Sequence, residues 1–475
     1  MEDFAQIEPS IALGPLDGRY RSSVAPLTNH LSEAALNRAR VYVEVEWLIF
    51  LTNNGVLPGA PKLTANEIEY LRAIVRHFGA ADIAELKEIE NETKHDVKAV
   101  EYYLKRRLDN AEHSLGETSL GKLHEIVHIF CTSEDINNLA YAVTVRDAVH
   151  QVWLPKARDF VAQLSQLAHD QAQQPMLSRT HGQTATPSTL GKEVAVLAYR
   201  LSRQLRRIEK TEFLGKINGA TGTFGAHVAA IPDADWPALS EAFVTGLGLT
   251  WNPLTTQIES HDWMAELFAD VARFNRIAHN LATDFWTYIS LGYFKQNLAA
   301  QGSTGSSTMP HKVNPIRFEN AEANMEISCA LFDSLSATLV TSRMQRDLTD
   351  STTQRNIGVA FGHSLLALEN LQRGVAGLDV DPARLEADLN NSWEVLGEPI
   401  QQAMRAAAIA GATGMGNPYE RLKDLTRGRH VTEQDMHEFI KELSMPQEVE
   451  ERLLKLTPSN YTGLATQLVD FLSNG

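Results

Sequence analysis

Proline spacing is the feature that most limits what this chain can fold into. No proline lies between Pro253 and Pro310, and none between Pro315 and Pro382. Proline breaks helix interiors, because it lacks an N–H and its ring clashes with the preceding turn. Both windows are therefore free to hold very long helices. A helix of about 30 residues spans about 45 Å, a length that suits a bundle packed at shallow angles. The apolar residues follow the helical period. From Leu190 they run Val194, Leu197, Leu201, Leu205 and Ile208, in alternating steps of four and three. A second stripe runs Leu267, Val271, Phe274, Ala278, Leu281, Phe285 and Tyr288. Such stripes have coiled-coil character, and strand-like alternation is scarce. They also suggest helices that bury more than one face, which association would satisfy.

The two ends have a different texture. Residues 1–118 hold shorter helical stretches, such as Leu36–Leu51 and Ala65–Phe78, punctuated by Gly and Pro. Leu115-Gly116-Glu117-Thr118 reads as a boundary, and the pattern changes again at Val380-Asp381-Pro382. Turns follow at Gly414-Met415-Gly416-Asn417-Pro418 and Thr457-Pro458. A chain of 475 residues is too long for one compact core. The expectation is an all-α subunit in three domains: an N-terminal helical domain over 1–118, a central long-helix bundle over 119–378, and a C-terminal helical domain over 379–475.

Composition narrows the function classes. Apolar residues make up 43% and charged residues 21%, as in soluble globular proteins. With 43 Lys and Arg against 59 Asp and Glu, the net charge is −16, and the longest basic clusters are Lys105-Arg106-Arg107 and Arg206-Arg207. A nucleic-acid binder shows a basic face, so no nucleic-acid partner is expected. An acidic chain still binds a small anion where its few cations converge. Two cysteines, Cys131 and Cys329, indicate no disulfide framework and fit a reducing cytoplasm. Met1-Glu2-Asp3-Phe4 lacks the apolar stretch of a secretory signal. No run of about 18 uncharged apolar residues occurs, so no membrane span is expected.

The densest chemistry lies between the two proline-free windows. Gln301-Gly302-Ser303-Thr304 runs into Gly305-Ser306-Ser307-Thr308-Met309-Pro310-His311-Lys312-Val313-Asn314-Pro315. Glycines allow backbone conformations that a side chain forbids. Serines and backbone N–H groups can surround an anion, Lys312 adds a positive charge, and Asn314 can bond a carboxylate. On the residues alone, Ser306 could equally be a loop hydroxyl without a role. Ser178-Arg179-Thr180-His181-Gly182-Gln183-Thr184-Ala185-Thr186-Pro187-Ser188 supplies an imidazole just before the Leu190 stripe. An imidazole carries and donates a proton near neutral pH, although a capping-region histidine fits the same spacing. Cys131-Thr132-Ser133-Glu134-Asp135 reads as hydroxyls for a ligand or as a helix N-cap with an acidic first turn. Thr93-Lys94-His95-Asp96 sets a His and an Asp near a helix start, or a capping Asp beside a surface His. His124-Glu125-Ile126-Val127-His128 fits the zinc motif His-Glu-x-x-His, without a third ligand at a familiar downstream spacing.

These segments together resemble the fumarase/aspartase superfamily, enzymes that release fumarate by β-elimination, over nearly the whole chain. The eleven residues from Gly305 to Pro315 resemble its signature loop. His311, where fumarases and argininosuccinate lyases usually carry Tyr, resembles the adenylosuccinate lyase branch, in its longer bacterial type. Thr180-His181-Gly182-Gln183 is similar to an element of that branch.

The resemblance implies an all-α, three-part subunit whose central bundles pair in a homotetramer, with active sites shared between subunits. It implies two small nucleotide substrates, adenylosuccinate and the succinyl-aminoimidazole carboxamide ribotide, and no cofactor or metal. It assigns His181 as general acid and Ser306 as general base. Lys312 and Asn314 would hold the succinyl carboxylates, assisted by Ser307 and Asn320, with Thr132 and Ser133 bonding a carboxylate. His128, four residues before the Thr-Ser pair, would be part of the site, which leaves His124 and Glu125 as helix surface. Arg19 and Tyr20 would contact the phosphate region, and Arg346, Ser351 and Arg355 would lie on the nucleotide side, where arginine forks suit phosphate. Gln257 matches a further binding position, His95 would orient the substrate or tune another group, and Asp96 beside it is a further binding residue. Lys94 stands where the family usually has Asn or Arg, so its contact departs from the pattern.

Overall fold

A computed structural model of the chain describes residues 12–297, 309, 312–426 and 430–474. Helices dominate, and among the described residues the strands form only three two-stranded sheets. The all-α expectation therefore holds. Two compact units are formed, one from Met1–Ala157, Gln204–Arg276 and Ala323–Glu369, the other from Arg158–Arg203, Ile277–Glu322 and Asn370–Gly475. The 1–118 stretch lies wholly in the first, the 379–475 stretch wholly in the second, and the middle of the chain supplies both.

The first proline-free window carries Asp262–Ser290, a helix of 29 residues. The second is broken in the middle: Ile316–Leu339 and Ile357–Ala376 flank a short Thr349–Gln354 helix. Both apolar stripes face inward. Leu190, Val194, Leu197, Leu201, Leu205 and Ile208 are all buried, as are Leu267, Val271, Phe274, Ala278, Leu281 and Phe285. Proline does not always end a helix here. Ser133–Ala148 runs through a π turn, Val149–Trp153, into Leu154–Asp170, with Pro155 just after the π turn. Widening the turn removes the need for an N–H at the proline position, so the chain continues instead of breaking.

In the first unit, local caps set the helix starts. Ser32 Oγ accepts from the Ala35 N–H at 3.0 Å, and Thr64 and Glu67 close a capping box. The helices Glu33–Asn53, Ala65–Arg76, Ala80–Thr93 and Asp96–Asp109 share a core of Val41, Leu48, Leu71, Phe78, Ile89, Val100 and Tyr103. Ser133–Ala148 packs on Glu33–Asn53 and is buried around almost its whole circumference.

In the second unit, the feature that matters for function is an antiparallel hairpin, Pro175–Thr180 paired with Gln183–Thr189. Its two-residue tip is His181-Gly182, with φ 54° and 74°. Positive φ at both central residues is the pattern of a type I′ turn, whose twist matches that of the flanking strands. Gly191, just past the hairpin, lets the Leu190–Ile208 helix seat closely on the end of Leu154–Asp170. A Cβ there would stand 2.3 Å from the Ala168 carbonyl oxygen. A separate apolar core of Trp393, Leu396, Ile400, Met404, Met436 and Ile440 holds the C-terminal helices.

Candidate active site

The first unit joins four of the expected binding residues through one continuous polar chain. Gln257 accepts from Arg346 Nη1 at 3.3 Å and donates to the Ala220 carbonyl at 3.0 Å. Arg346 Nη2 lies 2.8 Å from Glu134 Oε1, which also accepts from Asn137 Nδ2 at 2.7 Å. Arg40 Nε donates to Asn137 Oδ1 at 2.9 Å, and Arg40 Nη2 reaches Asp96 Oδ2 at 2.8 Å. Arg355 Nη2 closes on the same Asp96 oxygen at 3.4 Å. Burial alone would raise the Asp96 pKa, but the Arg40 charge, the Val97 N–H and Arg355 together hold it below the ordinary carboxylate range. Glu134, Asn137 and Arg40 were not among the expected site residues. Their signal was the run Glu134-Asp135-x-Asn137-Asn138, polar side chains on a helix with no exposed face.

Thr132 and Ser133 sit half-buried where that helix begins, and the Thr132 N–H donates to Asp135 Oδ2 at 2.8 Å. Thr132 is thus the N-cap residue, as one of its two readings held. Asp135 is tied down beneath it by Lys216 Nζ at 2.8 Å, an ion pair with both side chains fully buried, and by the Asn218 and Gly219 N–H groups. Asn138 accepts from the Lys216 N–H at 2.9 Å and donates to its carbonyl at 3.0 Å. Burying this pair is costly unless every lone pair is met, and here the 216–219 backbone meets them.

His95 and His128 take unlike roles. His95 is exposed and itself caps Asp96–Asp109, its Nδ1 accepting from the Lys98 N–H at 3.2 Å. The capping residue is therefore the His, not the neighbouring Asp. Lys94 ends the preceding helix in the left-handed region, φ 55°, where Asn is tolerated better than Lys. His128, also left-handed at φ 64°, is mostly buried. Glu44 grips it twice, through Nδ1 at 2.5 Å and the backbone N–H at 3.1 Å, and Glu101 lies 3.7 Å from its Nε2. Burial alone would lower its pKa, but the Glu44 hydrogen bond and the charges of Glu44, Glu101 and Asp135 raise it above the ordinary histidine value. The zinc-motif spacing does not produce a zinc-binding helix. Leu120–Ile126 is 3₁₀, the left-handed turn at His128 redirects the chain, and His124 pairs with Asp109 and Glu125.

Arg19 is exposed, with its guanidinium 5.8 Å from the Tyr20 ring centroid, just before the Arg21–Leu31 helix. Ser351 is half-buried on the Thr349–Gln354 helix, and its N–H donates to Asp350 Oδ1 at 2.6 Å.

The second unit holds the remaining expected residues. His181 is exposed at the hairpin tip. A non-glycine residue at positive φ is uncommon and often marks a functional position. Behind the tip, Arg179 donates to Tyr293 Oη at 2.6 Å and Asp388 Oδ2 at 2.7 Å, while Tyr293 Oη donates to the same oxygen at 2.6 Å. Burial and the Asp388 hydrogen bond push the Tyr293 phenol up to about 12, so it stays a donor. Thr184 bonds Glu394 at 3.0 Å, and Thr186 bonds Glu398. The histidine thus moves with a clamped frame and not with a free loop.

Lys312 is exposed and its N–H donates to the Met309 carbonyl at 2.9 Å. Asn314 and Asn320 are half-buried, the latter on Ile316–Leu339. Gln296 Nε2 donates to the Val313 carbonyl at 2.7 Å, which anchors the short irregular segment leading to that helix. Ser306, Ser307 and His311 lie outside the described residues.

In fold, the chain is similar to a fumarate lyase from Mesorhizobium sp. BNC1, with TM-score 0.73 and 20% identity over 95% of this chain and 97% of that one. It is similar also to the 3-carboxy-cis,cis-muconate lactonizing enzyme of Pseudomonas putida, with TM-score 0.72 and 19% identity over 94% and 96% of the two chains. The sequence is 48% identical to an adenylosuccinate lyase of Haemophilus influenzae over 98% of this chain and 100% of the relative. It is 48% identical to that of Escherichia coli over 97% and 98%, and 45% identical to that of Legionella pneumophila over the same shares. The lyase family matches residues 18–329, and the adenylosuccinate lyase C-terminal family matches residues 342–462. Agreement of both halves with the same full-length relatives leaves one assignment: the chain belongs to the adenylosuccinate lyase family, carbon–nitrogen lyases of the lyase superfamily.

Proposed function

We propose that the chain releases fumarate from adenylosuccinate, giving AMP, and from the succinyl-aminoimidazole carboxamide ribotide, giving the carboxamide ribotide. The observation that carries this reading is the polar chain linking Gln257, Arg346, Asp96 and Arg355, a local gathering of arginine in an acidic protein. Such forks suit a nucleotide phosphate.

In this reading Ser306 takes the proton from the carbon next to the succinyl carboxylate. A free serine is a poor base, so this role calls for N–H donors and a nearby cation to stabilise its alkoxide. The doubly charged carboxylate that forms is held by Lys312 and Asn314, assisted by Ser307 and Asn320, with Thr132 and Ser133 as further donors. The carbon–nitrogen bond then breaks, and His181 gives its proton to the departing nitrogen. Arg19, Tyr20, Gln257, Arg346, Ser351 and Arg355 bind the nucleotide side, and Lys94, His95, Asp96 and His128 are further substrate-binding positions.

A proton donor on an exposed hairpin tip works best once another surface covers it. We therefore also propose a homotetramer with shared sites and the three-part division at 118 and 378, acting in the cytoplasm on small nucleotide substrates. Val196, Tyr199 and Trp286, large apolar side chains left exposed on the long helices, support association. The test is fumarate release by metal-stripped protein offered adenylosuccinate and argininosuccinate in parallel. Fumarate from adenylosuccinate alone is expected. Release from neither, with the protein folded, overturns the proposal.

A further inference from the structure

Glu134 is the least exposed member of the polar chain, with 3% of its side chain accessible. A carboxylate so deep needs its charge met, and the cation that meets it is Arg346 at 2.8 Å. Arg346 is otherwise lightly held: Gln257 is a long 3.3 Å contact, and Asp350 stands 3.9 Å away. Arg346 Nε is buried without a hydrogen-bond partner among the described residues. A buried guanidinium N–H left unmet is costly, and a bound anion would satisfy it. From the same Glu134 oxygen the chain continues through Asn137 to Arg40, which Asn37 steadies at 2.8 Å, and on to Asp96 and Arg355. The two arginines assigned to the nucleotide side thus lie at opposite ends of one hydrogen-bonded chain, most of it buried.

We propose that Glu134 is a positioning residue for phosphate recognition, fixing Arg346 directly and Arg355 through Asn137, Arg40 and Asp96, so that both guanidiniums are oriented before a nucleotide 5′-phosphate arrives. Glu134 itself touches no substrate. Preorganised donors bind an anion without the cost of ordering two long side chains, and a rigid fork keeps the bidentate geometry that a phosphate favours. This rests on the reading of Arg346 and Arg355 as phosphate-side residues.

The experiment compares adenylosuccinate with its 5′-dephospho counterpart, succinyladenosine, as substrates of the full-length enzyme. For Glu134→Gln, KM for adenylosuccinate should rise about tenfold with kcat little changed, the scale of one weakened charge-assisted contact. KM for succinyladenosine should stay put, and Glu134→Asp should recover part of the loss. Calorimetric binding gives a second readout: AMP should weaken and adenosine should not. If Glu134→Gln does not fold, Asn137→Ser breaks the chain without removing a charge and should show the same phosphate-selective loss in smaller measure. Equal losses on both substrates, or none on either, overturn the proposal. Arg346→Gln separates it from the reading beneath. If Arg346→Gln weakens both substrates alike, the phosphate assignment itself fails. If Arg346→Gln is phosphate-selective and Glu134→Gln is not, only the role of Glu134 fails.

Discussion

His227 is fully buried, and neither ring nitrogen has a hydrogen-bond partner among the described residues. It stacks on Phe130 at 5.0 Å and meets the edges of Trp236 at 4.7 Å and Phe224 at 5.3 Å. Burial pushes its pKa down to about 4, against a smaller opposing pull from Asp135. The unfolded chain takes up this proton near pH 6.5 and the folded chain only near pH 4. Stability is therefore full above about 6.5 and is lost as pH falls toward 4, by up to about 3 kcal/mol. Urea melts from pH 7.5 to 4.5 should show that slope, and His227→Leu should flatten it; an unchanged slope in the variant would remove His227 as the cause. At the same scale, Ser306→Ala should lose turnover yet still bind substrate if Ser306 is the proposed base; wild-type-like turnover would remove that assignment. His181→Ala should be nearly inactive, and a substantial surviving rate would move the acid to His95 or His128. Single residues were legible in the sequence where a local pattern fixes their place, as with Thr132 at the N-cap of an acidic first turn. They were not legible where a residue acts through burial: Glu134 looked like an ordinary first-turn acid, and His95 looked like the neighbour of a cap instead of the cap.

At the scale of elements, the proline-free windows and apolar stripes gave the long helices well, because helix period and proline exclusion are local properties. Two features escaped. The break between Leu339 and Thr349 carries no proline, while Pro155 follows the π turn Val149–Trp153 without breaking the helix. The hairpin around His181 was missed because its strands are polar and lack apolar alternation, although His-Gly between Thr180 and Gln183 forms a two-residue tip. Its frame yields a prediction. Asp388→Asn removes the carboxylate on which Arg179 and Tyr293 converge, so kcat should fall on the order of tenfold, at roughly 1.4 kcal/mol per factor of ten, with circular dichroism unchanged. Wild-type turnover would show that the hairpin needs no clamp. Gly191→Ala should destabilise by about 1–3 kcal/mol, because the added methyl meets backbone and not a yielding side chain. A thermal melt unshifted from wild type would refute the close seating.

For the whole molecule, the relevant question is which parts must coexist. Mixing inactive Ser306→Ala and His181→Ala subunits should regain measurable activity if acid and base at one site come from different chains. Failure after confirmed subunit exchange would confine each site to one subunit. Among the described residues, no helix is long and apolar enough to cross a membrane. The sequence conveyed the class of architecture, since helix period and proline exclusion are written in contiguous stretches. It did not convey the polar chain from Gln257 to Arg355, whose members are drawn from positions 40, 96, 134, 137, 257, 346 and 355.

That scatter has a consequence in time. A ribosome delivers Arg40, Asp96, Glu134 and Asn137 early, and Arg346 only about 200 residues later. At the usual pace of 5–20 residues per second, the interval is about 10–40 s. Throughout it, Glu134 has no guanidinium to neutralise it, and the helix that carries it has every reason to stay solvated. A carboxylate without its partner is costly to bury, so closing that helix before Arg346 emerges is disfavoured. The segment that carries Arg346 is thus the one that lets an earlier helix bury its carboxylate.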